Sequence, residues 1–143
     1  MATVAAILAC SLFAGAAIYI NLVEHPARLS CGTEIAARQW APSYRRATLM
    51  QASLAIVAGI AGLTRWLQTD QGLWLFGAVA ILTVVPVTLI VIFPTNKRLL
   101  EAGRDLASDE TRALLVTWGR LHAIRSVLSL VGSVLFIVAG TQH

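Results

Sequence analysis

Long apolar stretches without charged side chains alternate with polar segments along the whole chain. Residues 2–23, 47–64 and 71–96 contain no Asp, Glu, Lys or Arg, and neither does the stretch from 126 to the end. A membrane-spanning helix needs about 17–25 predominantly apolar residues, and the first three stretches supply that number. The pattern predicts an all-α fold, an integral membrane four-helix bundle.

The fourth apolar stretch is short for a membrane span. Residues 126–140 reach about 22 Å as a helix, whereas the hydrocarbon core of a bilayer is about 30 Å thick. The helix becomes long enough when it includes 121–125, which puts His122 and Arg125 at the inner edge of the hydrocarbon. We therefore predict spans at about 3–23, 47–65, 72–94 and 121–140 in one domain, 1–143.

The segments between the spans also carry helix signals. Ser108 precedes Asp109 and Glu110, an arrangement that favours a helix start, and we predict a short cytoplasmic helical extension continuous with the fourth span. Residues 33–40 predict a separate short helix that ends before Pro42. Pro86 should loosen the third helix. Small residues at 14–17, 59, 62 and 132 should permit close helix packing.

The basic residues are distributed unevenly about the predicted spans. The two long connections hold nine Lys and Arg residues, and the connection between the second and third spans holds only Arg65. The positive-inside rule predicts that both long connections are cytoplasmic and both termini outside, and we expect a bacterial inner membrane. Anionic lipid accounts for the net charge of +4, so we expect a lipid bilayer and no nucleic acid as partner. Four tryptophans are predicted to form interfacial belts: Trp66 and Trp74 outside, Trp40 and Trp118 inside.

Polar residues recur on one face of each predicted helix, near the ends that join the long connections. His122 and Arg125 follow Trp118 at i+4 and i+7, on one helical face. Their His-x-x-Arg pattern is repeated by His25 and Arg28. We predict one pocket for a ligand with polar edges, and a polar packing network is the alternative. The remaining candidate binding residues are Tyr44, Gln51, Thr88 and Asn96.

Established cofactor motifs are absent from the sequence, which leaves the class of chemistry open. There is no GxGxxG, P-loop or GxSxG pattern. A metal is an open alternative, with His25 and His122 as its ligands, and two opposed histidines could also ligate haem. Cys10 and Cys31 are expected at different depths, so we predict no disulfide.

Four motifs, "NLVEHPARL", "YRRATLMQASLA", "VTLIVIFPTNKRLL" and "LLVTWGRLHAIRSVLSL", resemble the anthrone oxygenase-like family of small four-helix membrane proteins. Characterised fungal members of that family oxidise anthrones to anthraquinones with dioxygen. The resemblance implies an oxidoreductase of the monooxygenase type. It also implies that five motif positions line the site: His25, Asn96, Trp118, His122 and Arg125.

The predicted site suits the oxidation of a flat phenolic or keto-aromatic molecule. Neutral His122 is the favoured base, with His25 as donor or second base, and Arg125 and Arg28 would hold the anionic oxygen. Asn96 or Tyr44 could donate to that oxygen, and Trp118 could stack on a flat ring. The scheme uses dioxygen as co-substrate and requires no cofactor. A haem-, metal- or quinone-binding redox protein and a non-catalytic small-molecule-binding protein are the alternatives, and the oligomeric state stays open.

Overall fold

Four long helices make up nearly the whole of the computed structural model, which describes residues 1–142. They are α1 (Ala2–Ser30), α2 (Thr33–Thr69), α3 (Gly72–Leu99) and α4 (Asp109–Thr141), and all four are long and apolar enough to cross a membrane. The connections are short, at 31–32, 70–71 and 100–108. The prediction of an all-α, membrane-spanning four-helix bundle is confirmed.

The helices form an up-down-up-down bundle. Each helix packs on its two neighbours: α1 on α2 and α4, and α3 on α2 and α4. Short connections of this kind join antiparallel neighbours. The end with the connections 31–32 and 100–108 is called the loop end below. The end with both termini and the 70–71 turn is called the terminal end.

Two hydrophobic clusters fill the bundle. The cluster toward the terminal end includes Phe13, Trp74 and Phe136, and the phenyl ring of Phe136 stacks on Trp74 with ring centroids 5.6 Å apart. The cluster toward the loop end includes Trp40 and Trp118. The large rings of both clusters are buried between the helices. The exposed apolar residues on the outer surface are mostly Leu, Ile and Val.

Close packing at the terminal end depends on glycines. A methyl group added at Gly62 would lie 2.5 Å from the ring of Phe136, and one at Gly132 would lie 3.2 Å from the carbonyl oxygen of Gly77. The predicted packing role of these small residues is therefore confirmed. Gly15 is an exception, because no other atom of the described chain lies within 4 Å of the position of its missing methyl group.

A π-helical turn interrupts α1 close to the loop end. In Ile20–Glu24 the backbone N–H of His25 bonds to the carbonyl of Ile20, five residues earlier. Pro26 follows directly after His25. In a regular α-helix its ring would clash with the carbonyl four residues before it, and the wider turn relieves that clash. The same turn contains Asn21, whose side chain enters the bundle.

A second π-helical turn, Val87–Ile92, occupies the matching part of α3. The backbone N–H of Phe93 bonds to the carbonyl of Thr88, five residues earlier, and Pro94 follows. Pro86, which supplies no N–H, immediately precedes the turn. The third helix is therefore widened directly after Pro86, as predicted, in the form of a π-bulge. Pro94 has the same place after this turn as Pro26 has after the first, so the clash of its ring accounts for the wider turn. Such bulges occur often at functional sites.

The predicted end of a short helix before Pro42 is wrong. One helix, Thr33–Thr69, runs through Pro42, so much of the first long connection belongs to α2. Pro42 removes a single hydrogen bond, and packing on both sides of it offsets that loss: Trp40 is buried, and its ring stacks on Tyr44 with centroids 5.0 Å apart. The predicted extension before the fourth span is confirmed, with the Ser108 hydroxyl accepting from the N–H of Thr111 at 3.2 Å.

The predicted aromatic belts are wrong for three of the four tryptophans. Trp40, Trp74 and Trp118 are buried inside the bundle, where their rings pack on other aromatic rings instead of meeting lipid headgroups. Trp66 alone is partly exposed. The absence of a disulfide between Cys10 and Cys31 agrees with prediction, since both are free cysteines.

Candidate functional site

Buried polar side chains form a layer between the two hydrophobic clusters. Along α4, His122 and Arg125 come after Trp118 of the loop-end cluster and before Phe136 of the other. Along α2, Gln51 occupies the corresponding place. A buried polar side chain costs free energy unless it is hydrogen-bonded or paired with a charge. The partners of each side chain in this layer therefore show which polar atoms are left for a ligand.

His122 is held by a side chain of α1. Its Nδ1 lies 2.7 Å from Oδ1 of Asn21, and the hydroxyl of Ser126 donates to the same oxygen at 2.5 Å. The amide nitrogen of Asn21 donates to the carbonyl of Gly119 at 2.8 Å. A carbonyl only accepts, so this bond fixes the amide orientation. Asn21 Oδ1 therefore accepts, and the proton of neutral His122 lies on Nδ1.

The other nitrogen of His122 is thereby left with its lone pair. Within residues 1–142, no group hydrogen-bonds His122 Nε2, and the side chain lines a small cavity. An imidazole nitrogen with a free lone pair that faces a cavity can accept a proton from a bound molecule.

His25 lies nearer the loop end than His122, among residues of the loop-end cluster, and has a different environment. Its Nε2 lies 2.8 Å from the carbonyl oxygen of Leu115, so Nε2 carries the proton, and Nδ1 is buried without a partner among the described residues. The ring centroid lies 5.0 Å from that of Trp118, and His122 lies 4.8 Å from Trp118. The two imidazoles thus pack against one indole.

Arg125 is a buried cation without a carboxylate partner in the part of the chain that the structure describes. Its guanidinium donates to Oε1 of Gln51 at 2.6 Å and lies 5.4 Å from the ring centroid of Phe13. A charge inside a membrane bundle usually pairs with an opposite charge. The Gln51 amide and the Phe13 ring satisfy Arg125 only in part, because its Nε has no hydrogen-bond partner within residues 1–142.

Arg28, the other predicted anion-binding residue, is already paired. Its guanidinium forms an ion pair with Glu24, one turn earlier in α1, and lies 3.5 Å from the hydroxyl of Ser43. Glu24 also accepts from Ser43 at 2.9 Å and from Gln39 at 3.0 Å. The carboxylate neutralises Arg28, so Arg125 is the stronger candidate for binding an anion.

Tyr44 and Asn96 form a pair between α2 and α3. The amide nitrogen of Asn96 donates to the Tyr44 hydroxyl oxygen at 3.2 Å. The Tyr44 hydrogen is therefore available for another acceptor, and Tyr44 lines the same small cavity as His122. Asn96 is buried, and its Oδ1 has no partner within residues 1–142.

Two adjoining cavities meet at Arg125, Gln51 and Thr48. The larger, of about 140 Å³, runs between α2 and α3 and is also lined by Phe13 and Thr88. The smaller, of about 10 Å³, lies toward the loop end. The predicted site residues that line the smaller cavity are Arg28, Tyr44, Gln51, Trp118, His122 and Arg125.

Two predicted site residues line neither cavity. His25 lies against Trp118, and Asn96 reaches the smaller cavity only through Tyr44. Asn21, Thr48 and Phe13 also belong to the site, although they were not among the predicted binding residues. Helical spacing did place Asn21 on the polar face of His25 and Arg28, and Thr48 on that of Tyr44 and Gln51. Phe13 lies in an uncharged apolar stretch and gives no such signal.

The two histidines form a limited donor set for a metal ion. Within residues 1–142, no three His, Cys, Asp or Glu side chains come together as a potential metal site. One nitrogen of each imidazole is engaged, by Asn21 and by the Leu115 carbonyl. His143 lies outside the described residues.

Comparison with known proteins identifies the family. The sequence model described as anthrone oxygenase matches residues 40–135. The chain belongs to the anthrone oxygenase family. The matched range contains Tyr44, Gln51, Thr88, Asn96 and the Trp118–Arg125 region, whereas the part of the site on α1 precedes it.

Fungal members of the anthrone oxygenase family are similar over most of the chain. The anthrone oxygenase of Claviceps purpurea is 30% identical, with 90% of this chain and 82% of the relative covered. Anthrone oxygenase ptaC of Pestalotiopsis fici is 32% identical, covering 81% and 94%. Anthrone oxygenase gedH of Aspergillus terreus is 30% identical, covering 84% and 86%. No solved structure matches the chain.

Proposed function

We propose that this protein is a membrane-embedded oxygenase that oxidises a flat phenolic or keto-aromatic small molecule with dioxygen. Family membership and the names of the relatives support an anthrone-type substrate. The observation that carries the proposal is a pair of groups that line the cavities. One is His122 Nε2, an imidazole nitrogen with a free lone pair. The other is Arg125, a buried cation without a carboxylate partner among the described residues.

This pair suits the removal of a proton from carbon. An anthrone has a methylene group flanked by two aromatic rings and para-conjugated to a ketone, so loss of a proton gives a delocalised phenolate. His122 Nε2 accepts that proton, and Arg125 pairs with the negative oxygen. The Tyr44 hydroxyl supplies a further donor, and so does the amide nitrogen of Gln51, which has no partner among the described residues. Donors aimed at the developing charge stabilise the transition state in a water-poor site.

Dioxygen completes the reaction without another oxidant. The carbanion transfers an electron to O₂, the two radicals combine through a new C–O bond, and protonation gives a carbon hydroperoxide. Loss of water breaks the O–O bond and the remaining C–H bond and leaves a ketone. One oxygen atom of O₂ ends in the product and the other in water, so the electrons balance and no resident cofactor is needed.

The volume of the larger cavity limits the size of the substrate that it can hold. The larger cavity, at about 140 Å³, is below the roughly 300–1,000 Å³ of pockets that hold drug-sized ligands. A substrate smaller than a decorated tricyclic anthrone would fit with little rearrangement. A full anthrone would require the side chains between the two cavities, chiefly Gln51 and Arg125, to move apart.

The proposed orientation places the loop end, with its site, on the cytoplasmic side. Nine Lys and Arg residues lie toward the loop end, within 28–46 and 97–120, against Arg65 at the other end, and this distribution supports the orientation. The relatives named above are fungal, and they give no support to a bacterial inner membrane.

The proposal is tested by oxygen consumption with anthrone in membranes that contain the protein. Membranes without it correct for spontaneous oxidation of the carbanion. We expect His122→Ala to lower the catalysed rate by about 10²–10⁴-fold, the usual contribution of a general base, and Arg125→Met to raise KM. Ser11→Ala is the matched control, because it removes an α1–α4 hydrogen bond of 2.8 Å, to Ser133, toward the terminal end.

The outcomes separate the candidate functions. Full turnover by His122→Ala would make the base assignment wrong. A wild-type protein that consumes no oxygen but binds haem, copper or iron stoichiometrically would support the redox-protein alternative, with His25 and His122 as candidate ligands. Saturable binding of an aromatic molecule without turnover would support a non-catalytic binding protein.

A further inference from the structure

The larger cavity joins the centre of the bundle to its outer surface. At the inner end it is lined by the buried side chains of Phe13, Gln51 and Arg125. At the outer end it is lined by exposed residues on two helices, including Ala52 on α2 and Leu89 on α3. Leu89 is 62% exposed. The cavity is therefore a lateral opening between α2 and α3.

The surface around this opening is apolar. Leu49 and Ile56 flank it on α2, and Ile90 and Val91 flank it on α3, and all four are exposed. Exposed aliphatic side chains on membrane-spanning helices face the hydrocarbon. The nearest basic residues toward the loop end are Arg46 on α2 and Lys97 on α3.

The opening lies just inside the hydrocarbon. At about 1.5 Å per residue, Leu89 is about 12 Å from Lys97 along the helix, whose charge belongs at the headgroup level. The π-helical turn Val87–Ile92 supplies Thr88 and Leu89 to the α3 side of the opening. Its hydrogen-bond pattern is less regular than that of the flanking α-helix, so this side of the opening is suited to adjust around a ring.

We propose that the α2–α3 opening is the entrance through which a neutral, planar aromatic substrate passes from the bilayer to His122 and Arg125. This inference rests on the proposed function. It adds the route by which the substrate enters the bundle and its neutral, planar form. A neutral aromatic molecule concentrates in hydrocarbon and reaches the opening by lateral diffusion. Once it loses a proton to His122, the anion pairs with Arg125, and its charge opposes return to the lipid.

Binding of anthraquinone, the stable ketone related to anthrone, tests the entrance independently of turnover. The probe is titrated into nanodiscs containing the protein, and quenching of tryptophan fluorescence is followed, since Trp118 and Trp40 lie beside the smaller cavity. Ala52→Phe narrows the opening and adds no tryptophan. Ser53→Phe is the matched control, because Ser53 is the neighbouring exposed residue and does not line the cavity.

We expect saturable quenching for the wild type and Ser53→Phe, and at least tenfold slower onset of quenching after rapid mixing for Ala52→Phe, because a narrowed entrance slows association. Equal onset rates for Ala52→Phe and the wild type, or no saturable quenching by the wild type, would overturn the entrance. The expected binding pattern without oxygen consumption on anthrone would support the entrance and contradict the proposed function.

Discussion

At the scale of single residues, Asn21 decides which nitrogen of His122 can act as a base. Its amide is oriented by the Gly119 carbonyl, so its oxygen accepts from His122 Nδ1. We predict that Asn21→Leu lowers kcat by about 10²-fold, the cost of misplacing a catalytic group by about 1 Å, and leaves KM nearly unchanged. The measurement is steady-state oxygen consumption with anthrone.

The control for Asn21→Leu must weaken the same helix pair without touching His122. Ser133→Ala removes the hydrogen bond between the hydroxyls of Ser11 and Ser133, which joins α1 to α4 at 2.8 Å. A general loosening of this interface would lower kcat in both variants. A fall confined to Asn21→Leu would support a positioning role, and an unchanged kcat in that variant would refute it.

At the scale of helices, the contact between α1 and α4 depends on Gly119. A methyl group there would lie 2.7 Å from Cδ2 and 2.9 Å from Nε2 of His25. The imidazole would have to leave the Leu115 carbonyl. We predict that Gly119→Ala destabilises the protein by about 1–3 kcal/mol, the usual cost of overpacking, as measured by unfolding in SDS.

Gly15→Ala is the matched comparison for this helix contact. It is also a helical glycine, but its added methyl group would meet no atom of residues 1–142 within 4 Å. Since alanine favours a helix over glycine by about 1 kcal/mol, we expect Gly15→Ala to unfold at the same or a higher SDS fraction than the wild type. Equal destabilisation of the two variants would show that the His25 contact does not limit helix approach.

The helices also show which features the sequence could predict. The four spans and the shared helical face of Trp118, His122 and Arg125 could be predicted, because they depend only on residues that are close together in the sequence. Helix continuation through Pro42 depends on the packing of Trp40 and Tyr44, which local propensity does not contain. The burial of Trp74 and Trp118 was missed for the same reason: an interfacial and a buried tryptophan look alike in sequence.

At the scale of the whole molecule, the position of the site within the bilayer follows from the arrangement of the four helices. The polar layer lies between the two hydrophobic clusters, nearly all basic residues lie toward the loop end, and the cluster of Phe13, Trp74 and Phe136 lies toward the terminal end. The lateral opening between α2 and α3 connects this layer with the outer surface of the bundle. The proposed entrance for an apolar substrate therefore lies on the side of the bundle, at the depth of the polar layer.

The orientation of the bundle can be tested with a thiol that the protein already contains. Cys31 is exposed at the loop end, whereas Cys10 is buried. If that end is cytoplasmic, as the nine basic residues against one predict, a membrane-impermeant maleimide added to intact cells should not label the wild type. The variant Cys31→Ser with Gln68→Cys moves the thiol to the terminal end, where Gln68 is exposed, and should be labelled. Permeabilised cells should give labelling of both proteins, which controls for thiol reactivity. Labelling of the wild type alone in intact cells would reverse the orientation and put the proposed site on the outer side of the membrane.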